Sequence, residues 1–374
     1  MNPDFEYAGQ EIDLGFAHKF RLESHIADTS FGVVCRATWL QNGSTVAVKT
    51  VLDIGRLDPE DRLDCAASLR REASLINRLR DANVVRFMHQ GSHRAMPVLV
   101  LEALDKTLEK HVNVFCHDKD APRLPLPEAL VWVRQAALGL AAIHRAGLQH
   151  LDIKRANLLL TPPSPLGSQL KIADFDTCLA DDGREHTFEG TLGCLAPEQA
   201  VAISRREDGR YLYSTDARSD VYALGLLLFQ LVTGARTEFS QSNRKAFEQG
   251  RELGLWRERE SFTGELTSND LARFENPAEI LMQHTSVNAS DLASDDQNTW
   301  HPRATVPTTL PSHSTALHHK PISAEIPRRF GETDHPAVDL LQKLCAPRPH
   351  SRPANGQAAL AFIDEVMMKQ KCLR

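Results

Sequence analysis

Cysteine is sparse in this 374-residue chain, and its seven copies (Cys35, Cys65, Cys116, Cys178, Cys194, Cys345 and Cys372) include no close Cys-x-x-Cys pair. That spacing argues against the common zinc motifs, and an odd, scattered set makes no disulfide framework; it suits a reducing cytosol. Long apolar runs are missing as well. Ala129 to Ala146 is interrupted by Arg134 and Arg145, and Ala223 to Val232 is too short to cross about 30 Å of hydrocarbon, so both are expected as core helices and no transmembrane segment is expected. There is no excess of basic charge: 43 Lys and Arg against 49 Asp and Glu leave a net charge of -6, so no global field points to nucleic acid or to an anionic membrane surface. Met1 to Gln10 carries Asp4 and Glu6 where a secretory leader would be basic, so export by that route is not expected and the cytoplasm is the default location. With 42% hydrophobic and 25% charged residues, what is present is an ordinary globular composition.

Phe20 to Thr50 is rich in β-branched and aromatic residues and broken at Asp28-Thr29-Ser30 and Gln41-Asn42-Gly43-Ser44, which predicts three strands joined by turns. Pro59 to Leu79 changes to a period of threes and fours through Leu63, Ala67, Ala73, Ile76 and Leu79, predicting a helix. Val84 to His89 and Pro97 to Leu101 read as further strands. Beyond Leu104 the character is mainly helical, with helices expected at Pro127 to His144, Ala223 to Thr233 and Ala337 to Leu344 and a brief hairpin at Leu158 to Leu160 and Leu170 to Ala173. Residues 285–325, rich in Ser, Thr, His, Pro, Asp and Asn without any period, read as a disordered insertion.

The chemistry is carried by an ordered series of short motifs. Val46-Ala47-Val48-Lys49 is an alternating strand ending in lysine, and Glu72 follows on the helical stretch, where a carboxylate can pair with the ammonium and hold it against phosphates. His150-Leu151-Asp152-Ile153-Lys154-Arg155-Ala156-Asn157 places a carboxylate, a cation and an amide at short intervals, and Asp174-Phe175 follows the hairpin. Phosphoryl transfer requires such a set: oxygen ligands for a hard divalent cation, a carboxylate for the attacking hydroxyl and a cation for the migrating oxygens. Gly190-Thr191, Ala196-Pro197-Glu198, Asp220 to Gly225 and Arg352 complete the series. In this order the motifs resemble the eukaryotic-type serine/threonine protein kinase family, over roughly residues 19–370 with the insertion excluded.

The resemblance implies an α+β, bilobal fold: an N-terminal extension over 1–18, a small β-rich lobe with one helix over 19–101, a hinge at 102–104 and a larger, mostly helical lobe over 105–370. It implies ATP and Mg2+ in the cleft, with Asp152, Lys154, Lys49 and Glu72 as catalytic residues and Asn157 and Asp174 as metal ligands. Ala27, Thr29 and Gly32 match the phosphate loop. Leu101, Glu102 and Leu104 match the lobe connector whose backbone holds adenine, and Val34, Ala47 and Leu159 match the apolar positions around the purine, positions that core packing would fill equally well. Lys154 with Thr191 favours serine or threonine acceptors on protein substrates over tyrosine, and Arg352 suits the ion-pair partner of Glu198. Residues 285–325 are either a docking segment or a tolerated surface linker.

Four positions depart from the family pattern. Ala27 and Thr29 replace two glycines that let backbone approach phosphate, so ATP affinity is expected to be weakened but kept. Leu151 replaces the arginine that receives an activation-loop phosphate, so control by phosphorylation of that loop, for instance at Thr187, is not expected. Asp176 replaces the glycine after Asp174-Phe175 and is expected to face solvent. These departures keep open a pseudokinase or scaffold. A small-molecule phosphotransferase is disfavoured by Ala196-Pro197-Glu198 and Arg352.

Overall fold

The structure, a computed structural model, describes residues 5–16, 18–29, 32–52, 57–115, 124–165, 167–187, 189–191, 194–200, 204–207, 211–233, 336–346 and 348–372. The insertion expected at 285–325 lies outside the described residues, as does Phe31 of the phosphate loop.

Strand periodicity builds the first lobe. β1 (Glu11–Asp13), β2 (Lys19–Thr29), β3 (Gly32–Trp39), β4 (Ser44–Thr50), β5 (Phe87–His93) and β6 (Met96–Glu102) form one antiparallel sheet in the order β1-β2-β3-β4-β6-β5. Side chains alternate across a strand, so Val46 and Val48 of β4 pack with Phe20, Leu22 and Val100 in one apolar cluster, while Ala47 joins the main core on the other side and Lys49 follows it. That alternation turns Lys49 towards the second lobe. β1 extends the sheet into the segment expected to lie outside it: Ile12 is fully buried and Leu14 packs on Gly91, so the sheet begins before residue 19.

The helix after β4, α1 (Pro59–Ile76), starts where the Asp58 side chain accepts the Asp61 N–H at 2.8 Å and a proline opens the first turn, both favourable at a helix start. Its buried face is Cys65, Ala66, Leu69, Ala73 and Ile76, with Glu72 among them. The strand expected from Val84 begins only at Phe87, because Val85 N–H donates instead to the Ile172 carbonyl at 2.8 Å and ties the sheet lobe to the hairpin of the second.

That second lobe follows β7 (Lys106–Thr107) and consists mainly of α2 (Leu108–Phe115), α3 (Leu126–Arg145), the hairpin of β9 (Leu158–Leu160) and β10 (Leu170–Ile172), α4 (Pro197–Ala200), α5 (Ala217–Thr233), α6 (Pro336–Leu344) and α7 (Gly356–Cys372). β8 (Leu148–Gln149) pairs with β11 (Leu179–Ala180), and β12 (Ser204–Arg205) with β13 (Tyr211–Leu212). α3 is long and apolar enough to cross a membrane, but here Ala129, Leu130, Val133, Ala136, Ala137 and Leu140 are fully buried in the core formed with α5, α6 and α7.

One buried ion pair clamps this lobe. Arg352 donates to both oxygens of Glu198, at 2.6 and 3.0 Å, the Ser219 hydroxyl donates to Glu198 at 2.7 Å, and the guanidinium lies 4.7 Å from the centre of the Tyr222 ring. Burial would raise the Glu198 carboxyl, but Arg352 and Ser219 outweigh it and hold it below its ordinary value. Its stabilisation is therefore complete above the unfolded value of about 4 and is lost as pH falls through the lower folded value. Glu198→Ala leaves a guanidinium buried without its carboxylate, and urea unfolding at pH 7 is expected to show a loss of about 3–5 kcal/mol that shrinks in acid.

Candidate active site

The cleft between the lobes is organised around one ammonium. Lys49 Nζ lies 2.8 Å from Glu72 Oε2, 3.0 Å from Asp176 Oδ1 and 3.1 Å from Asp174 Oδ1. Burial alone would lower the Lys49 pKa, but the three carboxylates prevail and hold it above its ordinary value. For Glu72 the balance goes the other way: burial, with Asp176 adding to it, pushes the carboxyl up against the pull of Lys49. Asp174, despite burial, is held down by Lys49, His150 and Lys154. Its backbone is in the left-handed region at φ 66°, and the next residue is anchored twice: Phe175 N–H donates to Glu72 Oε1 at 3.3 Å, and the Phe175 ring stands edge-on to His150 with centres 5.1 Å apart.

Below this cluster the segment 150–157 is held from underneath. Asp220, buried on α5, accepts the N–H groups of His150 and Leu151 at 2.8 and 2.7 Å and contacts His144 Nε2 at 2.9 Å. Leu151 takes φ 65°, costly for a residue with a Cβ, and its carbonyl accepts Gln199 Nε2 at 3.0 Å. Gly190, at φ 119°, approaches the same carbonyl so closely that a Cβ there would stand 2.8 Å from it. So fixed, the loop aligns its polar groups. Lys154 Nζ donates to Asp152 Oδ2 and to Thr191 Oγ1, both at 2.7 Å, and Asn157 Nδ2 donates to the Asp152 carbonyl and to Oδ2, both at 2.9 Å. Asp152 Oδ1 is buried and has no hydrogen-bond partner.

These residues fit a hard divalent cation. The Asn157 amide nitrogen is committed to Asp152, which leaves its carbonyl oxygen as the ligand atom, and the Asp174 side chain is 36% exposed and so reachable. Both offer the oxygen donors that Mg2+ prefers.

The remaining expected positions separate into three groups. Ala47 and Leu101, cross-strand partners on β4 and β6, belong to the main apolar core, and Val34, Leu104 and Leu159 are partly buried against that core. Glu102, at the end of β6, turns its carboxylate away to receive the Arg86 N–H at 2.7 Å and Lys171 Nζ at 2.9 Å, so the side chain braces the connector. Ala27 is exposed on β2 opposite Val34, and Thr29 pairs with Gly32. Gly32 has φ 152°, and a Cβ there would collide with the Thr50 carbonyl oxygen, so its glycine is required by the packing of β3 on the end of β4.

A model of the protein kinase domain matches residues 20–362. The chain belongs to the protein kinase family. It is similar to the serine/threonine-protein kinase PknL of Mycobacterium tuberculosis, with 32% identity over 230 residues, covering 57% of this chain and 51% of PknL. It is likewise similar to the CBL-interacting protein kinase 4 of Oryza sativa subsp. japonica, with 32% identity over 252 residues, covering 64% of this chain and 50% of the rice protein. The chain spans about half the length of the curated relatives it matches.

Against the kinase pattern one expectation is corrected. Asp176 does not face solvent: it is 8% exposed and reaches Lys49, because a carboxylate so near an ammonium gains a charge-assisted contact that outweighs hydration. Its carbonyl accepts Arg71 of α1, the residue before Glu72. Glu189 of the activation segment stands near this group, pushed up to about 7 by burial and by Asp176 against the pull of Arg71. Arg71, Asp220 and Lys171 were missed as site residues; their partners lie 105, 69 and 70, and 69 positions away in sequence, so no local motif announces them.

Proposed function

We propose that the chain is an active protein kinase that transfers the γ-phosphate of ATP to serine or threonine hydroxyls of protein substrates. The observation that carries this reading is Asp152: one carboxylate oxygen is engaged by Lys154 and Asn157 while Oδ1, buried beside them, is free to accept an acceptor hydroxyl. Lys154 stands where it neutralises the migrating phosphoryl oxygens, and its bond to Thr191 ties the catalytic loop to the segment that receives the substrate, an arrangement that supports serine or threonine acceptors. Lys49 orients the ATP phosphates. Asn157 and Asp174 would hold Mg2+, which would supply charge neutralisation on those phosphates. Val34, Ala47, Leu101, Leu104 and Leu159, all in or against the main apolar core, support a site for the adenine ring. The scattered cysteines support work in the cytoplasm, and residues 285–325 serve either as a tolerated surface linker or as a docking segment.

A kinase fold that only binds is the rival reading, favoured by Ala27 and Thr29 in the phosphate loop. Incubation of the full chain with γ-labelled ATP, Mg2+ and mixed serine, threonine and tyrosine peptides separates the two: label on serine or threonine is expected. Nucleotide binding without any labelled peptide would overturn the catalytic reading.

Activation-loop phosphorylation is not needed in this proposal. Leu151 is buried where a charge-receiving arginine would stand in the family, and Thr187 offers its backbone carbonyl to His186 Nδ1 at 2.6 Å. Thr187→Ala is therefore expected to keep basal activity within about threefold, a difference of well under 1 kcal/mol in the barrier. Initial-rate assays showing a tenfold drop would refute this.

A further inference from the structure

We infer that Asp176 is a positioning residue that competes with the phosphates of ATP for Lys49, keeping the phosphate-binding lysine occupied until nucleotide displaces it. The inference rests on the proposal that this cleft binds ATP. An ammonium has three N–H donors, and three carboxylate oxygens stand within 3.1 Å of this one. Their contacts with Lys49 are not equally free to change. Glu72 is 1% exposed, rises from α1 and also receives Phe175 N–H, so it stays. Asp174 is the most exposed of the three and has an alternative task as an oxygen ligand for the cation. Asp176 stands in the same carboxylate group, its ligand oxygen within 4.8 Å of those of Glu72 and Asp174, and its Oδ1, which has no hydrogen-bond partner, meets Lys49 as an ion pair at 3.0 Å.

The claim is enforced from outside the cleft. The Arg71 guanidinium donates to the Asp176 carbonyl, so the backbone that aims this carboxylate at Lys49 is held by the helix that carries Glu72. Asp176 is also one more negative charge where a polyanion must settle, and like charges at such range oppose each other strongly in a partly buried cleft. The expected weakening of ATP binding then has a cause separate from Ala27 and Thr29.

The test is performed on the full chain, with Mg2+ and ATP as the probe, by calorimetric binding and by steady-state kinetics on a labelled peptide. Asp176→Asn keeps the shape and removes the charge; it is expected to lower both Kd and KM for ATP by about five- to tenfold, in line with loss of one ordinary polar contact. The change should fall on KM rather than kcat. Asp176→Glu, which restores the carboxylate, is expected to bind as weakly as wild type, and Asp176→Ser provides a second neutral side chain should the asparagine variant fail to fold. Tighter binding in the neutral variants without phosphotransfer by any protein would support this inference while overturning the catalytic reading. Unchanged or weaker ATP binding in the folded neutral variants, with wild type active, would overturn the inference alone.

Discussion

Lys49→Met is expected to lose stability as well as activity, and by more than the removal of a phosphate contact would cause. The ammonium is 3% exposed and is surrounded by the carboxylates of Glu72, Asp174 and Asp176. Methionine fills a similar volume without charge, so the variant leaves those carboxylates facing one another without their central cation. Breaking a buried pair by removing one partner costs about 3–5 kcal/mol, and three acceptors on one donor place this substitution at the upper end. Urea unfolding gives the size of the loss, and the double variant Lys49→Met with Asp176→Asn is expected to recover part of it, because contacting residues are not additive. An unchanged unfolding midpoint in Lys49→Met would contradict the cluster.

Asp152→Asn is expected to lower kcat by about 10²- to 10⁴-fold, the range for a positioned general base, while leaving the Kd for ATP within a few fold. The asparagine keeps the size of the side chain, and its oxygen can still accept from Lys154 and Asn157, so the loop retains much of its support. What disappears is the negative charge behind Oδ1, the atom that the loop leaves unengaged. Pre-steady-state phosphotransfer at saturating ATP separates this from an effect on binding. A fall in ATP affinity of the same size as the fall in rate would place Asp152 in nucleotide binding instead.

Much of this arrangement could be read from the amino-acid order because its signals are local. The alternation in Val46-Ala47-Val48-Lys49 places Lys49 on the face opposite the Val46 and Val48 cluster, and that is its orientation. Asp152, Lys154 and Asn157 lie within six residues, so their mutual hydrogen bonds follow from one loop. Glu198 and Arg352 were paired across more than 150 positions through the family resemblance. Asp176 was misplaced because a carboxylate in a loop has no periodicity to say which way it turns; its direction is decided by Arg71 and Lys49, on other elements. Asp220 stands out in the sequence only as part of the motif series, since its bonds to His150 and Leu151 form when α5 packs beneath the loop. β1 escaped notice because three residues, Glu11-Ile12-Asp13, show too little alternation to count as a strand before its partner is known.

We propose that Lys49, Glu72, Asp152, Asn157 and Asp174 form a working phosphotransfer site. The most direct measurement is the rate of γ-phosphate transfer to a serine or threonine peptide by wild type and Asp152→Asn side by side, with ATP binding recorded for both. The expected result is labelled phosphoserine or phosphothreonine from wild type and a rate at least about a hundredfold lower from the variant, with ATP bound by each. Equal rates, or ATP bound by both with no transfer by either, would contradict it.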